Sequence, residues 1–208
     1  MTSIALVTPW RDHLELAPAY FQAVELAMPD QLVIVDDGSE KPLTFAHTRI
    51  DKTGFCGASN AGLKLVETEA VVFLNNDVAT LRQGWLQEIR AAVEPGVVVG
   101  PLRSDPQYCT VDDVNYPYID GWCLAMMTDD ARRIGGWDET YDTVGLSYYS
   151  DTEFSFRARL NGLTLRDLRP GLNHLGGRTG GVDRAAFEES LAVNRELYVA
   201  QVREKVAA

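Results

Sequence analysis

The chain has 208 residues, 46% of them hydrophobic, and a formal net charge of −11. That length can bury one full core, and the acidity argues against a broad basic footprint for nucleic acid or an anionic membrane. No apolar run reaches the roughly 18 residues of a membrane span, and Cys56, Cys109 and Cys123, an odd number without metal-type spacing, read as reduced thiols of a cytoplasmic protein.

The opening MTSIALVTPWRDH has no basic leader region and its apolar run stops at Pro9, so it reads as a strand and not as a signal peptide. Short Val-, Ile- and Leu-rich runs follow at Ile4–Val7, Leu32–Val35, Val71–Leu74 and Val97–Val99, each bounded by Gly, Pro, Asn or Asp. Such runs suit strands buried on both faces. Helix-like stretches lie between them, at about Leu14–Ala27, Ala58–Thr68 and Trp85–Val93. This alternation predicts a mostly parallel central sheet with helices on its faces. The second half is less regular: a strand over Tyr118–Met127, a short helix over Asp129–Ile134, a helix over Asp151–Asn161 and a long helix over Ala185–Val206. No linker divides the halves, so the expectation is one α/β domain over 1–208.

In an open parallel sheet, ligands bind beyond the carboxyl ends of the strands. Three of the early strands end in Thr8-Pro9-Trp10, Asp36-Asp37-Gly38-Ser39 and Asn75-Asn76-Asp77. Each alone can be a turn; together, at one edge of one sheet, they point to a binding site.

The runs VIVDDGSE, GFCGASNAGL and VVFLNNDV, then GWCLAMMTDDARRIGGWDETY and YYSDTEFSFRARLNG, resemble in this order and spacing the large family-two type of inverting glycosyltransferases with the GT-A fold. Their wording is similar to the rhamnosyl- and galactofuranosyl-transferring branch, over about residues 3–176. The resemblance implies a nucleotide-sugar-binding half up to about residue 100 and an acceptor and catalytic half after it. It implies that Asp36 reads a pyrimidine bordered by Thr8 and Pro9, with Asp37, Asn60 and Asn76 near the nucleotide, which makes UDP- or dTDP-sugars the expected donors. The small residues from Gly54 to Asn60 open a helix and suit a diphosphate on backbone N–H groups, or are a plain helix start.

A leaving diphosphate needs its charge neutralised, and a hard divalent cation (manganese or magnesium) prefers oxygen ligands. Asp77 supplies a carboxylate. The family pattern has two aspartates, whereas Asn75-Asn76-Asp77 has Asn75 at the first of those positions, which leaves Asp77 the one certain carboxylate. His174 resembles a family histidine near the metal, although a lone histidine is often structural. Ser150 and Glu153 read as a capping box. Asp151 is then either a first-turn residue favoured by the helix dipole or, as the resemblance implies, the catalytic base; Asp138 and Glu139 are its nearest rivals. Trp10, Trp122, Trp137, Tyr148 and Tyr149 gather in these motifs; Trp122 and Tyr149 are candidates for holding sugar or acceptor, and Trp137 reads as an anchor. Arg178 in GGRTGG could reach phosphate, or its segment could form a closing lid. The reading is a hexosyltransferase-like enzyme acting on an acceptor hydroxyl of a glycan, lipid-linked, protein or modified-DNA substrate. A silent sugar-nucleotide-binding module and a sugar nucleotidyltransferase are the alternatives, the latter disfavoured because Pro9-Trp10-Arg11-Asp12 replaces a Gly-rich basic loop.

Overall fold

The computed structural model describes residues 1–144, 146–176 and 184–207. Its main sheet contains seven strands: β1 (Ile4–Trp10), β2 (Gln31–Asp37), β3 (Thr48–Ile50), β4 (Ala70–Leu74), β5 (Val97–Gly100), β6 (Cys123–Met127) and β7 (Thr164–Asp167). Their order is β7-β5-β6-β4-β1-β2-β3. β1 pairs in parallel with β2 and β4, β2 with β3, and β5 with β7. β6 alone runs antiparallel, to both β4 and β5. The α-helices of more than one turn among the described residues are α1 (Ala17–Ala27), α2 (Phe55–Lys64), α3 (Trp85–Ala92), α4 (Thr128–Arg133), α5 (Ser150–Leu160) and α6 (Arg184–Ala207). The mostly parallel α/β expectation holds.

Two cores form because side chains alternate across each strand. Ala5, Val7, Val33, Val35, Val71 and Phe73 face the side covered by α2, α5 and α6. Ile4, Leu6, Ile34, Ala70, Val72 and Leu74 face the opposite side, where Tyr20 of α1 and Trp85, Leu86 and Ile89 of α3 pack. Helices on both faces explain why the strand segments read as continuous apolar runs instead of alternating ones. Among the described residues no helix is long and apolar enough to cross a membrane.

The strand expected over Tyr118–Met127 is divided. Tyr118–Ile119 pairs with Leu102–Arg103, a turn occupies Asp120–Trp122, and β6 begins at Cys123. Because β6 is antiparallel, that turn comes to the same edge as the carboxyl ends of β1, β2 and β4; the Asn75 N–H donates to the Trp122 carbonyl at 2.9 Å.

The expected capping box does not form. Tyr149, with a left-handed φ of 67°, takes the N-terminal cap position of α5, and Ser150 is already helical. The Glu153 carboxylate is instead held by Arg157, Nε to Oε1 at 2.7 Å and Nη2 to Oε2 at 2.9 Å. Arg157 also donates to the carbonyls of Ile134 and Gly136, so one guanidinium ties α5 to the turn that follows α4. Removing it would leave the buried Glu153 carboxylate uncompensated. Arg157→Met should lower the unfolding free energy in urea by about 3 kcal/mol or more, whereas Glu153→Gln, which keeps an acceptor for Arg157, should cost distinctly less.

Candidate active site

A cleft of about 550 Å³ opens at the strand ends. Pro9 and Trp10 of β1, Asp37 of β2 and Asn75–Asp77 after β4 form one wall; Asp120–Trp122, Tyr148–Asp151 and His174 form the other. The cleft therefore draws on both halves of the chain.

Asp77 is buried, and its Oδ1 makes no hydrogen bond among the described residues, while His174 Nε2 lies 3.2 Å away. The pair is locked in register from the backbone. Asn173–His174 pairs antiparallel with Val78–Ala79, the Leu175 N–H donates to the Asp77 carbonyl at 2.8 Å, and the Thr80 hydroxyl donates to the Gly171 carbonyl at 3.0 Å. Trp122 stacks on the imidazole, ring centroids 5.1 Å apart and planes within 9°. A buried carboxylate oxygen without a hydrogen-bond donor, beside an imidazole nitrogen, is a fitting donor set for a divalent cation whose remaining ligands come from phosphate and water. The Asn76 amide nitrogen, also buried in this wall, has no partner among the described residues. No group of three or more His, Cys, Asp or Glu side chains gathers as a metal cage among the described residues, so any cation here depends on its ligand for coordination.

The start of α2 differs from the sequence expectation. Its first-turn N–H groups are occupied by the chain itself: Asp142 Oδ1 accepts from Cys56 at 3.1 Å and Oδ2 from Gly57 at 2.8 Å. The Ser147 hydroxyl closes on the same carboxylate. Gly54, at φ 111°, is required here, because a Cβ would lie 2.5 Å from the Asp142 carboxyl carbon. The helix terminus thus binds an anion, as helix dipoles favour, but the anion is Asp142 and not a diphosphate.

Asp151 stands in the first turn of α5, partly buried, with Oδ2 accepting from the Gly121 N–H at 3.0 Å and Oδ1 from the Thr152 N–H at 2.8 Å. Burial, and then the neighbouring Asp120 carboxylate, push its pKa up to about 7. Asp120 is held by Arg103, Nε to Oδ2 at 2.9 Å.

No family model matches the sequence, and no curated protein does. Among solved structures the chain is similar to mannosyltransferase PcManGT from Pyrobaculum calidifontis in complex with GDP-Man and Mn2+, with a TM-score of 0.63 at 13% identity, over 99% of this chain and 74% of that one. The fold is that of a glycosyltransferase. At this identity the likeness carries the fold alone.

Within this glycosyltransferase fold the expected residues separate into two groups. Pro9, Asp37, Gly54, Asn76, Asp77, Trp122, Tyr149, Asp151 and His174 line the cleft. Thr8, Asp36 and Asn60 do not. Thr8 points into the core, where its hydroxyl meets that of Tyr20 at 2.6 Å. Both Asp36 oxygens are engaged, by the N–H groups of Ser39 and Leu43 at 2.9 and 3.1 Å and by Arg49, so this carboxylate braces the 38–43 loop and does not line the cleft where the base was expected. The strand-end pleat turns its neighbour Asp37 to the cleft instead; there it accepts from Thr53 N–H at 2.7 Å and Gly54 N–H at 3.1 Å, 3.6 Å from Arg11. Asn60 is a strut: it exchanges hydrogen bonds with the Trp137 backbone, Nδ2 to O at 2.9 Å and N to Oδ1 at 2.8 Å, and donates to Glu139. Trp137 is buried against Phe55, Phe73 and Phe154, the anchor role expected of it. Asp138 is engaged by Thr140 and Gln201 and lies outside the cleft. Arg178 lies outside the described residues.

Asp142, Asp120 and Arg11 are site residues that the motifs did not single out. For Asp120 a signal existed, since Asp-Gly inside a supposed strand marks a turn. Asp142 had none, because its partners on α2 lie 85 and 86 residues away in sequence.

The raised pKa of Asp151 has a testable sign. In the unfolded chain this carboxyl ionises near 4, in the folded protein near 7. Its contribution to stability is therefore fully present below about pH 4, is lost progressively as pH rises toward 7, and is flat above. The melting temperature of the parent minus that of Asp151→Asn should fall between pH 4 and 7. A difference that is constant over that range would contradict the raised value.

Proposed function

We propose that the protein is a cation-dependent glycosyltransferase that moves a sugar, hexosyl in the simplest case, from a nucleoside-diphosphate donor to an acceptor hydroxyl with inversion, and that the chain acts as one catalytic domain. One observation carries this reading. A single cleft at the strand ends is lined by the buried Asp77 carboxylate, with His174 3.2 Å from it, and by the Asp151 carboxylate, whose pKa is raised to about 7.

Asp77 and His174 are the residues that would hold Mn2+ or Mg2+. When bound there, the cation would neutralise charge on the leaving diphosphate. Asp37 and Arg11 offer an acceptor and a donor for the base, and Trp10 and Pro9 an apolar border. PcManGT holds GDP-Man; for this chain, UDP- and dTDP-sugars and GDP-sugars all belong in a donor panel.

In the transfer step the Asp151 carboxylate takes the proton of the acceptor hydroxyl while that oxygen forms a bond to the anomeric carbon. The bond from this carbon to the diphosphate oxygen breaks, and its electron pair leaves with the nucleoside diphosphate. One displacement from the opposite face inverts the anomeric centre. A base with an acidity constant near 7 is well matched to proton transfer at neutral pH. The Gly121 and Thr152 N–H groups hold its two oxygens in place.

Two measurements test this. Nucleoside diphosphates with and without Mn2+ should raise the melting temperature only when the cation is present, because a ligand that binds the native state stabilises it by mass action. Asp77→Ala should abolish most of that difference; equal shifts in chelator would remove the cation from the scheme. In donor-consumption and transfer assays with the sugar-nucleotide panel, Asp151→Asn should keep nucleotide binding and lose transfer by about 10²–10⁴-fold, with the parent rate rising through pH 7. Transfer near the parent rate in that variant would eliminate Asp151 as the base.

A further inference from the structure

A second, smaller cleft of about 180 Å³ lies beside the first and shares one wall with it, Trp122. Its other lining residues are Pro101, Arg103, Arg169, Pro170 and Leu172. In a chain of net charge −11, this cleft carries two guanidiniums and no acidic lining residue.

Both arginines are placed by acids outside the cleft. Asp120 takes Nε of Arg103 at 2.9 Å, and Asp167 lies 3.7 Å from Nε of Arg169. Neither Nη pair is used in a hydrogen bond among the described residues, and the two side chains are 57% and 73% exposed, so four terminal nitrogens remain open to a ligand. Open guanidinium N–H groups form charge-assisted bonds to an oxyanion. The wall between the clefts is the turn Asp120–Trp122, whose Gly121 N–H holds the Asp151 carboxylate. Arg103 adjoins the same turn through its bond to Asp120.

We propose that this second cleft is an acceptor subsite for an anionic group, a carboxylate or phosphate carried by the acceptor, read by Arg103 and Arg169 while a hydroxyl of the same molecule reaches Asp151 past Trp122. The name acceptor rests on the transferase reading above; the anion site itself does not.

The test uses the full chain and simple probes: methyl β-glucuronide and glucose 6-phosphate as the two anion sources, methyl β-glucoside as the neutral match. In ¹H–¹⁵N spectra the indole N–H of Trp122, assigned by Trp122→Phe, should shift saturably with one or both anionic probes and not with the glucoside. Arg169→Gln and Arg103→Gln should each weaken that binding about tenfold or more, the loss expected for one charge-assisted pair. Arg169 is exposed enough for its variant to fold, and Arg166→Gln, a neighbouring arginine paired with Glu94 outside the cleft, serves as the charge control and should change nothing. Equal shifts with the neutral glucoside, or undiminished binding in both arginine variants, would overturn the subsite. Which anionic probe binds tells carboxylate from phosphate. Anion binding in a protein that shows no cation-dependent nucleotide binding would keep the site but refute its role as an acceptor subsite.

Discussion

A helix N-terminus needs an anion, and in this protein the chain brings its own. The Asp142 carboxylate spans the first-turn N–H groups of α2 at 3.1 and 2.8 Å, across a sequence separation of 85 residues or more. Two consequences follow. The segment Glu139–Val144 is fastened to α2, and the chain leaving it reaches the cleft at Tyr148–Asp151 from a fixed point. The helix dipole is also already satisfied, so it offers little to a ligand's phosphates. Besides the Asp77–His174 pair, the cleft lining carries the guanidiniums of Arg11, which faces Asp37, and Arg184.

The antiparallel strand β6 is the second constraint. Had β6 run parallel to its neighbours, its amino end would lie at the far edge of the sheet, and the turn Asp120–Trp122 with it. Its reversal places that turn against Asn75 and α5. The turn then contributes to several parts of the cleft. Its middle N–H holds Asp151, its first residue adds a carboxylate whose charge raises the pKa of Asp151, and its last residue fixes the His174 ring by stacking. Stabilising and destabilising terms oppose each other at Asp151: two N–H donors favour its ionised form, while burial and Asp120 disfavour it, and the second pair wins.

The fold was legible because its signals were local and periodic. Val71–Leu74 can be little else than a strand buried on both faces, and Trp85–Val93 is an amphipathic helix whose Trp85, Leu86 and Ile89 meet one core. The place of Asp77 in the cleft was legible too, since it stands directly at a strand end. What failed was the choice between adjacent residues. Asp36 and Asp37 have the same chemistry and differ in which face of the strand they take; the pleat decides, and only the register of Trp10 on Asp36 makes that visible. Ser150 and Glu153 had the spacing of a capping box, but the spacing says nothing of Arg157 one turn further on, whose bidentate grip outcompetes a backbone N–H. Asn60 and Asp142 were opaque for a different reason. Their partners lie some 77 to 86 residues away, and no local pattern encodes a contact of that separation.

The Trp122 indole sits where these constraints meet. One face stacks on the His174 imidazole, which fixes the ring plane so that Nε2 stays within 3.2 Å of Asp77. The same side chain forms the boundary between the larger cleft and the arginine-lined one. An apolar, rigid ring is well suited to that position, because it separates the Asp77–His174 pair from a guanidinium-lined cleft without adding charge to either. A smaller side chain would merge the two spaces and release the imidazole; a charged one would disturb the Asp77–His174 pair or the arginines. The residue that organises this edge thus does so by packing, keeping two electrostatic environments distinct within it.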